Sequence, residues 1–207
     1  MILGLEDFEI PAGHIADTRP YEIRWHGRGG QGAITAARML AQAAHLDGYF
    51  GATAAPSFGA ERRGAPVTAS TRISLQPIMV VSQIEEPDMV VVLDQTLLRD
   101  RDVVSGLRNG GWLVVNSRQA PKQLKVEGAF NIATADATGI CRELGLIVGG
   151  LIIVNTAMLG AVVRASGLVD LAHTSQPIRD RFSNRSAELN LAAIERTYRE
   201  TIIEKMR

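Results

Sequence analysis

Residues 25–32 read Trp-His-Gly-Arg-Gly-Gly-Gln-Gly and follow a short strand-like run, Tyr21 to Arg24. Four of the six residues from 27 to 32 are glycine, and a helix-forming segment, Ala33 to Ala44, comes directly after. The order strand, tight turn, helix restricts the chain to folds in which a strand feeds a helix packed back on its own sheet. Such a turn lets an anion approach bare backbone N–H groups at the positive end of a helix dipole. The same glycines also serve a plainer purpose, close packing of a strand against a helix, and spacing alone does not separate the two.

Gly27, Gly29 and Gly32 fit dinucleotide spacing, so NAD or FAD is the first ligand to test. That site requires an acidic residue at the end of the second strand, about 20 residues on, to hold the ribose hydroxyls. Asp47 lies at that distance but sits in a Leu-Asp-Gly turn before the second strand. The strand itself, about Tyr49 to Ala54, runs into Ala-Ala-Pro-Ser-Phe-Gly without a carboxylate. A standard NAD site is disfavoured.

The second motif is Pro56-Ser-Phe-Gly-Ala-Glu-Arg-Arg-Gly-Ala-Pro66, a loop bracketed by prolines and glycines. It leads into an alternating segment, Val67 to Ile73, that reads as a strand. Adjacent arginines among small residues suit phosphate or carboxylate, because guanidinium presents a planar fork of donors. A solvated pair, or one matched to Glu61, is the plain alternative.

Together, His26-Gly-Arg-Gly-Gly-Gln-Gly32 and Pro56 to Pro66 closely resemble the gamma subunit of 2-oxoacid:acceptor oxidoreductases, the pyruvate:ferredoxin oxidoreductase family. The resemblance runs from about Tyr21 to the C-terminal helix and leaves the first 20 residues outside. It implies a Rossmann-like, three-layer α/β domain with a mainly parallel sheet, spanning 21–207, preceded by a 1–20 extension that contacts partner subunits. It also implies a multi-subunit enzyme that oxidatively decarboxylates a 2-oxoacid to an acyl-CoA. Thiamine diphosphate would sit in alpha and beta partner subunits. Iron–sulfur clusters, also outside this chain, would carry electrons to a ferredoxin-like subunit or through a flavin subunit to NAD. The gamma chain would hold coenzyme A, with no catalytic residue of its own and no activity alone. The residues expected to form that site are Arg28, Gly29, Gly30, Gln31 and Gly32 in the first motif. Ser57, Phe58, Gly59, Arg62 and Arg63 come from the second, and Asn116 from a later strand end. A purely architectural subunit, with these arginines paired to partner carboxylates, is the competing reading.

Composition narrows the field by exclusion. Formal charge is zero and no basic block is present, so the footprint of a nucleic-acid binder is missing. Nineteen of the 22 basic residues are arginine, which suits ion-paired interfaces and anion sites. Cys141 is the only cysteine, too few for a disulfide or a four-cysteinate cluster, and reads as a small core residue on an amphipathic helix. The four histidines are dispersed, which argues against a metal site. The N-terminus lacks the basic and apolar regions of a secretory signal. Leu144 to Val163 contains no charge, but Gly145, Gly149 and Gly150 break its start and Asn155 and Thr156 interrupt it. It is expected to be a turn followed by a buried helix from about Leu151 to Ser166 rather than a membrane span. A cytoplasmic chain is expected.

Further along, Val67–Ser74 and Ile78–Ser82 read as a strand pair, Met89–Asp94 and Trp112–Asn116 as buried strands, and Phe130–Ala133 as a shorter one. Helices are expected at Leu97–Arg108, around Thr138–Leu144, and from Ser186 to Met206. Gly27–Gly32, Ser57–Gly64, Asp94-Gln95 and Asn116-Ser117 all follow strands. Ligands of parallel α/β sheets bind at strand C-terminal ends, so one sheet edge could collect all four segments.

Overall fold

The computed structural model describes residues 19–56, 63–79, 82–148 and 150–206. Ser57, Phe58, Gly59 and Arg62, and residues 1–18 of the expected extension, lie outside the described residues. In chain order the elements are β1 (Tyr21–Arg28), α1 (Ala33–Leu46), β2 (Gly51–Pro56), β3 (Pro66–Ser74), β4 (Met89–Val92), β5 (Trp112–Asn116) and β6 (Asn131–Ala135). Then come α2 (Ala137–Glu143), β7 (Ile147–Val148), β8 (Leu151–Ile152), α3 (Ala157–Ser166), α4 (Ser175–Arg181), α5 (Asn184–Glu200) and β9 (Ile202–Glu204).

One seven-stranded sheet has the order β2-β3-β1-β4-β5-β6-β9. Its centre, β1-β4-β5-β6, is parallel, while β2, β3 and β9 join antiparallel at the flanks. The fold is the expected three-layer α/β arrangement with a parallel centre. Strand β4 shows why. All four of its side chains are buried, Met89 and Val91 in one apolar core and Val90 and Val92 in the other. A strand covered on both faces has no use for alternation, and each such side chain contributes roughly 1.5–3 kcal/mol by leaving water.

The larger core lies under the helices. Helices α1 and α3 pack on the sheet, and α5 lies on α3. Trp25 of β1 is fully buried there, and its Nε1 donates to Thr71 Oγ1 at 2.9 Å, which donates onward to the Ala37 carbonyl at 3.1 Å. The indole thus buries its ring without orphaning its N–H. The smaller core, on the opposite face, is closed by Leu97, Val103, Leu124 and Phe130.

Four expectations change. First, β1 extends to Arg28, beyond the strand-like run Tyr21 to Arg24, because β3 supplies partners as far as Arg28↔Pro66. Second, Leu97–Arg108 is not a helix but two 3-10 turns, Gln95–Arg99 and Arg101–Val104. The Asp94 carboxylate accepts from the Thr96 amide and the Asp100 carboxylate from the Asp102 amide, and such local side-chain bonds compete with a continuous helix. Third, the C-terminal helix stops at Glu200, and the β-branched pair Ile202-Ile203 joins β6 as an edge strand. Fourth, Ile78, Met79 and Ser82 are not in a strand, and β3 pairs with β1 and β2 instead.

The uncharged stretch resolves into a short hairpin, β7–β8, and then helix α3, which starts at Ala157 rather than Leu151. No helix among the described residues is long and apolar enough to cross a membrane. Cys141 is buried on α2, as its pattern indicated.

Candidate functional site

After β1 the chain passes through α1 to β2 and β3 on one side of the sheet, then returns so that β4 lies on the other side of β1. The strand order therefore reverses between β1 and β4, and a crevice opens at their C-terminal ends, where parallel α/β sheets receive ligands. The glycine turn stands at the β1 side of this crevice and the Asp94 turn at the β4 side.

The turn is built by local chemistry. Gly30 and Gly32 adopt φ of 94° and 79°, the left-handed region that side chains disfavour. The Gln31 side chain folds back, its Oε1 accepting from the Arg28 amide at 2.7 Å, while the Gln31 amide donates to the Arg28 carbonyl at 2.9 Å. Gly32 caps α1, and no side chain among the described residues caps that helix. The first amides of a 14-residue helix are thus presented at the crevice with the positive end of its dipole. Asn155, entering from the segment before α3, donates from Nδ2 to the Gly32 carbonyl at 3.2 Å and fills the space a side chain at position 32 would need.

The described end of the second motif, from Arg63, closes on the first. Gly29 donates to the Ala65 carbonyl at 2.8 Å, Gly64 donates to the Gly29 carbonyl at 3.0 Å, and Gly29 forms a bridge with Arg63. Arg63 is exposed beside the turn, with no ion-pair partner among the described residues. Arg63, Gly64 and Ala65 and the glycine turn, separate in sequence, are thus joined through the Gly29 backbone.

Arg28 has a different task. Its Nε donates to Asp94 Oδ2 at 2.7 Å, Nη2 to Thr96 Oγ1 at 2.8 Å, and Nη1 to the Gly64 carbonyl at 3.2 Å. The guanidinium brackets the crevice and is engaged by the protein itself. Burial pulls the Asp94 carboxyl upward, but hydrogen bonds from Thr96 and Arg28 outweigh it and leave the group below its ordinary value. Asn116 is likewise turned inward. Its Nδ2 donates to the Leu93 carbonyl and to Thr138 Oγ1, each at 2.9 Å, tying β4, β5 and α2 together.

Beneath the crevice, on the face opposite the helices, His26 accepts at Nε2 from Arg24 Nε at 3.0 Å. Burial first, then the Arg24 cation, pushes its pKa down to about 4. Arg24 continues to the carbonyls of Val103 and Ser105, at 3.1 and 2.6 Å. The sequence reading expected Gly27–Gly32, Ser57–Gly64, Asp94-Gln95 and Asn116-Ser117 along one sheet edge, and among the described residues the glycine turn, Arg63 and Gly64, Asp94-Gln95 and Asn116-Ser117 do meet there. It did not see the bracket at Asp94 and Thr96, nor Asn155, whose signal was a polar side chain inside an otherwise apolar run.

With this geometry in view, a model of the family described as pyruvate ferredoxin/flavodoxin oxidoreductase matches residues 22–200. The chain belongs to that family. Within it the chain is of the gamma-subunit kind. It is 47% identical over 190 residues to the pyruvate/ketoisovalerate oxidoreductases common subunit gamma of Thermococcus kodakarensis, covering 89% of this chain and 99% of that one. It is 46% identical over 181 residues to the pyruvate synthase subunit PorC of Methanocaldococcus jannaschii, covering 87% and 97%. The crystal structure of the pyruvate oxidoreductase subunit PORC of Thermotoga maritima superposes with a TM-score of 0.78 at 37% identity, covering 90% of this chain and 99% of that one.

Proposed function

We propose that this chain is the gamma subunit that binds and positions coenzyme A in a cytoplasmic, multi-subunit 2-oxoacid oxidoreductase. Thiamine diphosphate and iron–sulfur clusters belong to its alpha, beta and ferredoxin-like partners. The observation that carries the reading is the uncapped N-terminus of α1, framed by the positive-φ glycines Gly30 and Gly32, at the point where strand order reverses. Coenzyme A carries a diphosphate, which suits backbone N–H donors at a helix start, and Arg63 stands beside the turn as an available cation. The chain's part in the reaction is positional. Holding the CoA thiol against an acyl intermediate made by the partner subunits turns a bimolecular encounter into an intramolecular one. The buried Cys141 lies on α2 and takes no part.

The test uses the assembled complex. Arg63→Ala removes one charge-assisted contact and should raise the Michaelis constant for CoA about tenfold or more while sparing that for the 2-oxoacid. Gly30→Val should do the same more severely, because a side chain there blocks approach to the backbone.

A second reading, an architectural subunit without ligand contacts, draws on one observation: Ile147, Val148 and Leu151 of the β7–β8 hairpin are exposed, as an interface would require. It expects the same variants to loosen the complex and leave CoA dependence unaltered in the complexes that survive. Size-exclusion chromatography alongside the CoA titration separates the two.

A further inference from the structure

The far edge of the sheet is left open. Strand β9 pairs with β6 on one side, and among the described residues no strand pairs with its other side. Against it lies a groove of about 800 Å³, walled by β9 and by side chains from residues 120–130. Leu124 and Phe130 give it buried apolar surface, while Ile202 and Met206 line it with side chains that remain exposed. An open strand edge beside exposed apolar side chains is a ready template for another length of chain, and folded proteins cover such edges.

Three observations indicate which length of chain covers this one. The first is charge. Residues 1–18 hold four carboxylates, Glu6, Asp7, Glu9 and Asp17, and neither lysine nor arginine. The formal charge of zero therefore divides into −4 on this segment and +4 on residues 19–207. The groove presents two of the chain's three lysines, Lys122 and Lys205, both exposed, against a single carboxylate, Glu204.

The second is apolar content. Residues 2–10 read Ile-Leu-Gly-Leu-Glu-Asp-Phe-Glu-Ile, so apolar side chains for the groove and acids for its lysines come from one short stretch. On an extended backbone Phe8 and Ile10 share one face and Glu9 takes the other.

The third is reach. Arg19 marks where this stretch joins the sheet, its Nη1 donating to Asp88 Oδ2 at 2.8 Å. From there hydrogen bonds cross one end of the sheet. The Trp112 amide donates to the Asp88 carbonyl at 2.9 Å, the Asn131 amide to the Gly111 carbonyl at 2.8 Å, and the Met206 amide to Asn131 Oδ1 at 2.9 Å. Arg19 and the end of β9 thus lie at the same end of the sheet. Between β1 and β9 are four strand spacings, about 19 Å in all. Residues 11–18, extended, span about 26 Å, which brings residues 2–10 to the groove.

We infer that the groove beside β9 is the docking site of this chain's own residues 2–10, with their apolar side chains on Leu124, Phe130, Ile202 and Met206 and their acids toward Lys122 and Lys205. The docked segment covers the β9 edge and keeps it from pairing with other chains. The inference is independent of the CoA reading, and it gives residues 2–10 a place on their own subunit instead of the partner contact expected from the sequence.

The test is amide hydrogen exchange of the full chain, read in peptides covering residues 122–126 and 202–206. Ile202 and Met206 are 52% and 50% exposed, so covering both equals burying about one side chain. Deleting residues 2–10 should therefore speed exchange in both peptides about tenfold or more. The triple variant Glu6→Lys/Asp7→Lys/Glu9→Lys keeps the full length, so it decides the matter if the deletion disturbs folding, and it should speed exchange likewise. Adding Lys122→Glu and Lys205→Glu to the triple variant should restore protection, which a merely destabilised chain would not show. Exchange left unchanged by the triple variant, or not restored by the added pair, overturns the inference. So does protection that rises with protein concentration, which would put a second copy in the groove. Protection that appears only in the assembled complex overturns it too, since a partner subunit would then be the occupant.

Discussion

Arg28 and Asp94, 66 residues apart in sequence, meet at 2.7 Å across the point where strand order reverses. One residue ends β1 and the other follows β4, so the ion pair fixes the width of the crevice between the two strands. The bracket is cationic on one side and anionic on the other. The uncompensated positive potential at the site therefore comes from backbone amides and Arg63 rather than from Arg28.

Breaking the bracket should cost stability. Arg28→Ala removes a part-exposed ion pair and two further hydrogen bonds, and urea denaturation should show a loss of about 1–2 kcal/mol. Arg28→Lys should recover little of it, since a single ammonium cannot match the spread of Asp94, Thr96 and the Gly64 carbonyl. Full recovery by lysine would mean that charge alone, not the fork, holds the crevice.

Stability should also fall with mild acid through His26. Its folded pKa, about 4, lies below the ordinary value of 6.5. As pH falls through 6.5 the unfolded chain takes up a proton that the folded chain refuses, so folding weakens until pH reaches about 4 and then levels off. The loss over this window should be on the order of 3 kcal/mol. In His26→Gln, the amide oxygen can still accept from Arg24 but does not titrate. Chemical denaturation at pH 7 and pH 5 should show a smaller difference for the variant than for the wild type. Equal slopes would place the acid sensitivity elsewhere.

Gly160 marks the closest approach of α3 and α5. A Cβ there would run into the Ile194 carbonyl and come within 2.8 Å of the Tyr198 amide nitrogen, both backbone atoms that cannot rotate away. Gly160→Ala should therefore destabilise the chain by about 1–3 kcal/mol, the cost of overpacking, despite alanine's better helix propensity. Thermal denaturation tests this directly, and a rise in Tm would show that the helices can separate freely.

Cys141 should be inert in the native chain. Burial, aided by the Asp136 carboxylate, pushes its thiol up to about 12, so almost no thiolate exists at neutral pH. Iodoacetamide should leave the folded protein unlabelled and label it stoichiometrically in denaturant. Rapid labelling of the native chain would show that α2 opens readily.

Much of this architecture was legible in the sequence because it is locally encoded. The short apolar runs at Met89–Val92 and Trp112–Val115, bounded by turn residues, read as strands covered on both faces, and the glycines at 29–32 followed by an alanine-rich segment fix the turn and the start of α1. What failed were decisions made by competition. Residues 97–108 carry helical spacing, yet Asp94 and Asp100 satisfy nearby amides first and hold the segment in 3-10 turns. Ile202–Glu204 continues an amphipathic helical pattern, but the open edge of β6 offers backbone partners that a helix end lacks. The sequence by itself determined the strand, turn and helix that present amides to an anion. Only the tertiary structure decided that Arg28 faces Asp94 and that Asn116 turns inward, because each depends on which distant backbone or side-chain group the fold brings within hydrogen-bonding reach.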